Sequence, residues 1–502
     1  MTDRLASSSP STHPRRARTI ESTTALEPCT VDGGRLSVEL RGAERLERMQ
    51  VRDFTPDWIT VEVSGGWPFE RGRIGGKLEV VGLSGFVEQF RCELEFSGWL
   101  ALSGRVDGEQ VGVVRLLLFC ERHERPELVR FYRQLRFPAL FERAELDASE
   151  VMELFERSGY FALRGESRRA QGSQAWCGSS LPAQLSVDAV YCAEDGALLG
   201  HVSVTRAYSR TWLGHQLTTF NDHLESAACR VALYHHFATV PILIDGNERQ
   251  FLLGYYDRGK PWHQLFFDSF IDWYGEPGKA TIVAFDRYEA VDSQPPTAAQ
   301  VGQDDPNVEL DQARPDELDE VVALIAEQLP PLALAAFDID ASQLDRAYLH
   351  PDFATQGIAR GRRVFVLREA GELVGVALCE TGREDISLFN LFNMSQLYFR
   401  PRATSAAQQG LVAFVRCYYL AHGREQPLIV APPGSLSEPE EAGLELVETM
   451  GCIIWSGPTL RAYRTFLRTA FERVRKHEGK PPTATSAIGA DGPGSRPLVA
   501  SR

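Results

Sequence analysis

A hairpin punctuated by glycine occurs twice in this chain, and each copy leads into a helix that opens on the same tripeptide. The first hairpin runs from Val187 to Val204 and carries Gly196 and Gly200. The second runs from Arg363 to Leu378 and carries Gly371 and Gly375. Both glycine pairs are offset by 175 residues. Downstream, Ser226-Ala227-Ala228 and Ser405-Ala406-Ala407 open two apolar helical stretches at an offset of 179. Solenoid repeats have periods of about 20–50 residues, so this spacing indicates a duplicated domain. Any chemistry must then be sought in two related places.

Composition narrows the partners. With 43% hydrophobic and 24% charged residues over 502 positions, the chain reads as a soluble globular protein of two to four domains. A net charge of −15 opposes nucleic acid or an anionic membrane as a partner held by bulk charge. The nine cysteines form no C-x-x-C, which predicts neither a zinc site nor a disulfide framework and fits a reducing cytoplasm. Arg15, Arg16 and Arg18 are not followed by the apolar run of a secretory signal, and no window has the length of a membrane span. His235 and His236 would diverge by about 100° on a helix, a poor metal pair, so no metal is expected. No G-x-S-x-G, P-loop or H-E-x-x-H occurs, which leaves hydrolase, NTPase and zincin readings without support.

Polar, proline-rich composition marks residues 1–30 and 476–502 as disordered tails and 291–306 as a linker. Residues 31–140 predict a small antiparallel β-barrel with an appended helix over 126–136. Phe90, Cys92, Leu94 and Phe96 alternate there with polar residues, and Trp99–Leu102 and Val111–Phe119 supply further strands. Residues 144–290 and 307–470 predict two α+β domains. Asp147-Ala-Ser-Glu150 signals the first helix of one, and the stripe Leu318, Val321, Val322, Ile325 the first helix of the other. The second domain continues with a strand at Val308–Leu310, the Gly371 hairpin and a long strand over Ile386–Phe399. A helix over Ser405–His422, a strand at Pro427–Ala431 and a helix from Glu440 into Met450-Gly451 complete it.

This order of elements resembles the GCN5-related N-acetyltransferase (GNAT) family, over roughly 308–470 and more loosely over 144–290. The resemblance implies acyl-CoA as co-substrate, an amine acceptor, and a [Gln/Arg]-x-x-Gly-x-[Gly/Ala] loop that binds the pyrophosphate at a helix N-terminus. Arg402-Ala403-Thr404-Ser405-Ala406-Ala407 stands at that place in the second copy, with Gln408 next to it. Arg402 and Ala407 match the pattern, and Ser405 replaces its first glycine. The first copy offers His223-Leu224-Glu225-Ser226-Ala227-Ala228, with an acidic residue where phosphate would approach. The spacing singles out no catalytic base. Glu380 and Tyr463 are candidates in the second copy. In the first, His215 stands in the polar and aromatic run from Arg206 to Gln216, which reads either as an acceptor pocket or as a packed aromatic strand.

The N-terminal barrel resembles, more weakly, the PilZ family of cyclic di-GMP receptors. Arg41-Gly-Ala-Glu-Arg45 and the pair Arg48 and Arg52 each supply an Arg-x-x-x-Arg. Asp53 and Thr55 follow in the position of [Asp/Asn]-x-Ser, but Trp58 replaces the family's glycine. The resemblance implies a nucleotide held by arginine forks. Two readings stay open. One is an acyl-CoA-dependent N-acyltransferase of the bacterial cytoplasm, active in the second copy and regulated through the barrel. The other is a non-catalytic sensor or adaptor that binds cyclic di-GMP, acyl-CoA or a protein partner.

Overall fold

The computed structural model describes residues 29–30, 36–41, 46–64, 73–81, 87–106, 109–120, 124–137, 139–142, 148–160, 181–182, 184–221, 223–245, 250–260, 263–291, 307–383, 386–387, 390–424 and 427–478. Most of the expected tails and of the expected linker, together with Arg45 and Asp147, lie outside them, as does the side chain of Arg41; the described ends of the tails are strand at 29–30 and helix at 476–478. The chain divides into two compact units between Leu128 and Val129, inside helix α1 (Arg125–Arg136).

The first unit is a closed antiparallel barrel. Strands β2 (Leu36–Arg41), β3 (Leu46–Thr55), β4 (Trp58–Ser64), β5 (Arg73–Val81), β6 (Val87–Val106) and β7 (Glu109–Cys120) pair in the order β3-β2-β5-β6-β7-β4, and β4 returns to β3. A short β1 (Cys29–Thr30) adds to β3. The two-residue period works as expected: Phe90, Cys92 and Leu94 are buried, while Gln89, Arg91 and Glu93 are exposed.

Among the described residues, the second unit holds one twelve-stranded sheet. In chain order its elements begin β8 (Leu140–Glu142), α2 (Ala148–Arg157), β9 (Ser186–Cys192), β10 (Leu198–Tyr208) and β11 (Thr211–Thr219). Next come α3 (Ser226–Asp245), β12 (Phe251–Asp257), α4 (Ser269–Tyr274) and β13 (Ala280–Ala290). The order of the six strands then recurs, with a different set of helices between them. It opens with β14 (Val308–Gln312), α5 (Leu318–Ala326), α6 (Pro331–Ala336) and α7 (Pro351–Thr355), followed by β15 (Arg360–Glu369), β16 (Glu372–Gly382) and β17 (Met394–Phe399). It closes with α8 (Ser405–Ala421), β18 (Leu428–Ala431), β19 (Leu444–Ser456) and α9 (Gly457–Glu478). Gly196 and Gly371 turn the two corresponding hairpins with φ of 86° and 83°, a conformation that suits glycine. Both hairpins carry a ladder irregularity three residues after the turn glycine, at Leu199 and at Val374.

The sheet is a palindrome. Its order is β14-β15-β16-β17-β18-β13-β19-β12-β11-β10-β9-β8. The last strand of each copy therefore leaves its own half: β13 pairs with β18, and β19 with β12. Within each half one parallel pair, β11 with β12 or β17 with β18, forms a ladder of three or four residues. One core lies beneath α5 and α6 (Leu213, Phe285, Leu324, Val376), a second beneath α3 and α9 (Val204, Phe237, Trp455, Leu460), and a third beneath α8 (Leu397, Leu411, Val415).

Two expected elements differ. In place of the helix from Glu440 into Met450-Gly451 there is a turn over 440–443 and then the start of β19. Val447, Thr449, Ile453 and Ile454 suit a pleated surface, and the long ladder with β13 outweighs the helical look of the glutamates. The strand over Ile386–Phe399 begins only at Met394, because Asn390 takes a left-handed φ of 54° and breaks the extended backbone.

Candidate functional site

The polar residues of the first copy come together on one face of β10 and β11. A Cβ added at Gly200 would fall 2.5 Å from Cys229 Sγ and Leu233 Cδ1 of α3. That position faces α3, so His201, Ser203 and Thr205 face the other side, where the Phe155 ring of α2 lies 5.2 Å from that of His201. On β11, Gly214 faces Phe237 of α3 and His215 therefore points away from it. Alternation would return Gln216 to the α3 side. Instead Gln216 and Leu217 together oppose Val202, and Gln216 has φ 56°, a β-bulge that keeps its amide beside His215. The parallel ladder to β12 ends at Gly214 and Gly254, so β11 and β12 part where the bulge begins.

The bonds within this cluster are specific. His215 Nε2 lies 2.9 Å from Thr205 Oγ1, which lies 2.8 Å from Ser186 Oγ, and Ser186 donates to Asp188 Oδ1 at 3.2 Å. Ser203 donates to Gln216 Oε1 at 3.0 Å, and His201 Nδ1 lies 3.1 Å from the Gln216 carbonyl. Phe392, from the second copy, sets its ring 5.8 Å from that of His215. His215 and Gln216 are only 6% and 2% exposed, yet His215 Nδ1 and Gln216 Nε2 have no hydrogen-bond partner among the described residues. Such groups are costly to bury, and water or a ligand can satisfy them. Burial pushes the His215 pKa down to about 4, against a weaker upward pull from Asp188, so the ring is neutral at physiological pH.

The second copy clamps its buried carboxylate between cations, although Gln396 Nε2 and Ser387 Oγ there are also buried without a hydrogen-bond partner among the described residues. Glu380, fully buried, accepts from Arg362 at 2.8 Å and from Tyr208 of the first copy at 2.8 Å, and pairs with Arg360 at 2.5 Å. Arg362 also donates to the carbonyl oxygens of Phe337 and Asp338. Burial works to raise the Glu380 pKa, but Arg360 and Arg362 outweigh it and hold the carboxyl below its ordinary value. A carboxylate clamped in this way is an ion-pair anchor rather than a free base. Tyr463 lies in the aromatic core on the α3 side, with Phe270 and Trp455 each 4.9 Å away, and burial drives its pKa well up.

Neither helix start is an open anion cradle. At α8, Thr404 caps Ala407, and Glu369 accepts from both the backbone and the hydroxyl of Thr404. Ser405 donates to Glu438, Gln409 to Glu441, and Arg402 pairs with Glu372. Gln408 accepts from the Ser437 backbone at 2.9 Å, and Ala406 and Ala407 open the helix between these contacts. The exposed Arg402 pair is weak in itself. The surrounding carboxylates are what oppose a pyrophosphate. At α3, Ser226 donates to the Phe220 carbonyl at 2.8 Å, and Glu225 accepts from Tyr191 and from the Glu194 backbone.

Neither a protein-family model nor a curated protein matches this chain. Among solved structures it is similar to a GCN5-related N-acetyltransferase from Sphaerobacter thermophilus, at 13% identity over 63% of this chain and 95% of that one, TM-score 0.38. A tandem GNAT protein from the clavulanic acid biosynthesis pathway aligns at 13% identity over 63% and 98%, TM-score 0.34. Saccharomyces cerevisiae N-myristoyltransferase with bound myristoyl-CoA aligns at 9% identity over 63% and 78%, TM-score 0.29.

In the barrel, Thr55 and Trp58 close the hairpin between β3 and β4. Thr55 Oγ1 donates to the Trp58 carbonyl and accepts from the Trp58 and Asp57 amides. Asp53 accepts from Thr60 at 2.8 Å and its amide donates back to the same hydroxyl. Trp58 carries the Arg115 guanidinium 4.5 Å from its ring centroid. The described residues contain no group of His, Cys, Asp and Glu able to hold a metal, and no helix long and apolar enough to cross a membrane. His235 is taken up by Arg464 at 2.9 Å and by Thr239.

Sequence reasoning named His215 as a candidate, with an acceptor pocket and a packed strand both open, but missed Ser186, Asp188, Ser203 and Thr205. The available signal was the spacing of His201, Ser203 and Thr205, polar at every second position of β10.

Proposed function

We propose that the protein is an acyl-CoA-dependent N-acyltransferase whose reaction takes place in the first copy, at His215 and Gln216. The observation that carries this is the pair of unsatisfied, buried polar atoms at the bulge where β11 and β12 part. His215 is neutral and has a ring nitrogen free to accept a proton; Gln216 has an amide free to donate. Acyl transfer needs both functions together. The amine nitrogen attacks the thioester carbonyl, its proton passes to His215, the carbon–sulfur bond breaks, and the leaving thiolate takes that proton back from the His215 imidazolium. Gln216 Nε2 would donate to the carbonyl oxygen as negative charge develops on it. The order of elements, which resembles tandem GNAT domains, supports the same reading. The ion-paired Glu380 and the carboxylate-lined start of α8 point away from the second copy as the reacting one. Cyclic di-GMP is no part of the proposal, since Asp53 and Thr55 are engaged in their own hairpin.

Thiol release from acetyl-CoA and longer acyl-CoAs in the presence of a panel of primary amines tests it. Turnover is expected, and His215→Asn should lower it by about 10²-fold or more, the usual weight of a general base. CoA thioester that binds without turnover would favour the sensor reading. No binding of any CoA species would end the acyltransferase reading and the acyl-CoA form of the sensor reading.

A further inference from the structure

We propose that Asp188, Ser186 and Thr205 act as a positioning chain that fixes His215 in the tautomer protonated on Nε2. The argument is a count of protons. A carboxylate only accepts, so the single hydroxyl proton of Ser186 goes to Asp188 at 3.2 Å. Ser186 Oγ can then meet Thr205 Oγ1, 2.8 Å away, only as acceptor, which uses the Thr205 proton. Thr205 Oγ1 in turn can meet His215 Nε2, 2.9 Å away, only as acceptor. Nε2 must therefore carry the hydrogen, and Nδ1, buried and without a partner among the described residues, holds the lone pair. The direction of the chain is set by one end, Asp188. None of the three residues needs to touch a substrate. Ser186 and Thr205 are buried, and their hydroxyls lie on adjacent strands, joined through the register pair Ser186 and Thr205 itself.

The consequence for catalysis rests on the acyltransferase reading, but the tautomer does not. Histidine-selective 15N labelling of the full chain reads it directly, with the His215 signals identified by their loss in His215→Asn. The wild type is expected to show a protonated Nε2 and an unprotonated Nδ1. Asp188→Asn should raise the Nδ1–H population, because an amide at position 188 can donate to Ser186 and reverse every bond in the chain. Thr205→Val should also release the preference, and Thr205→Ser should restore it. A wild-type ring protonated on Nδ1 would overturn the proposal, as would an unchanged tautomer in Asp188→Asn and Thr205→Val together. These spectra need no acyl donor, so failure of the acyltransferase reading would leave them standing.

Discussion

At the scale of single residues, the site is a neutral histidine kept neutral by burial, and this has a thermodynamic signature. The folded-state pKa of His215 is about 4, against an ordinary value of 6.5. Between those values the unfolded chain binds a proton that the folded chain refuses, so stability falls as pH drops from 6.5 toward 4. At pH 5 the loss from this residue alone should be about 2 kcal/mol. Urea unfolding at pH 7 and pH 5 is the measurement: His215→Asn should lose less stability over that interval than the wild type, by about that amount. His235 and His236 are also held well below the ordinary range by burial and by nearby cations, so the variant should keep part of the slope. Equal slopes in the two proteins would show that His215 is not desolvated. The residue type was legible in the sequence, because a histidine within a polar and aromatic run invites the reading of an acceptor pocket. Its partners were not legible. Ser186 precedes the hairpin and Thr205 follows it, and only the β9–β10 register brings their hydroxyls together.

At the scale of elements, two devices place the site, and they differ in how visible they were. The glycine turns could be read directly, since Gly196 and Gly371 both need positive φ. The bulge could not. Nothing in Gly214-His215-Gln216-Leu217 announces that Gln216 will take φ 56°, because the bulge arises from fitting β11 to β10 while α3 presses on the other face. Gly214 is the contact that matters there. A Cβ at this position would lie 1.7 Å from a ring carbon of Phe237, so Gly214→Ala must shift the strand, the helix or the Phe237 ring between them. We expect a loss of about 1–3 kcal/mol, the usual range for overpacking. We also expect His215 and Gln216 to move with the strand, so catalysis should fall further than stability explains. Thermal unfolding alongside turnover in the same preparation checks both, and Phe237→Leu in the Gly214→Ala background should recover part of each. A Gly214→Ala protein as stable and active as the wild type would mean that α3 does not seat β11. The misread helix near Glu440 belongs to the same scale. Its glutamates suggested a helix, but the segment's partner β13 lies about 160 residues earlier, beyond any local pattern.

At the scale of the whole molecule, the duplication was legible but the exchange of strands was not. A repeat at an offset of 175 residues says that two similar units exist, and it invites their treatment as separate domains at 144–290 and 307–470. The palindromic sheet says otherwise. In the first half β13 finds its ladder partners in β18 and β19, both from the second half, while β19 fills the place between β12 and β13. Removing either half therefore leaves one strand unpaired on both edges, with buried residues such as Phe285 or Ile453 exposed along it. Unpaired hydrophobic strand edges promote aggregation, and each lost ladder strands backbone donors and acceptors. Residues 129–291 and residues 307–478, produced separately, should each be insoluble or lack a cooperative unfolding transition. Produced together, they should be recovered as a one-to-one complex with a melting transition close to that of the intact unit. The contacts to the first copy from Phe392 and Glu380 predict in addition that only the complex can turn over substrate, because these residues fix His215 and Tyr208 from across the sheet. A soluble, cooperatively folded first half on its own would refute the exchange, and an active one would show that the second copy is dispensable to the site.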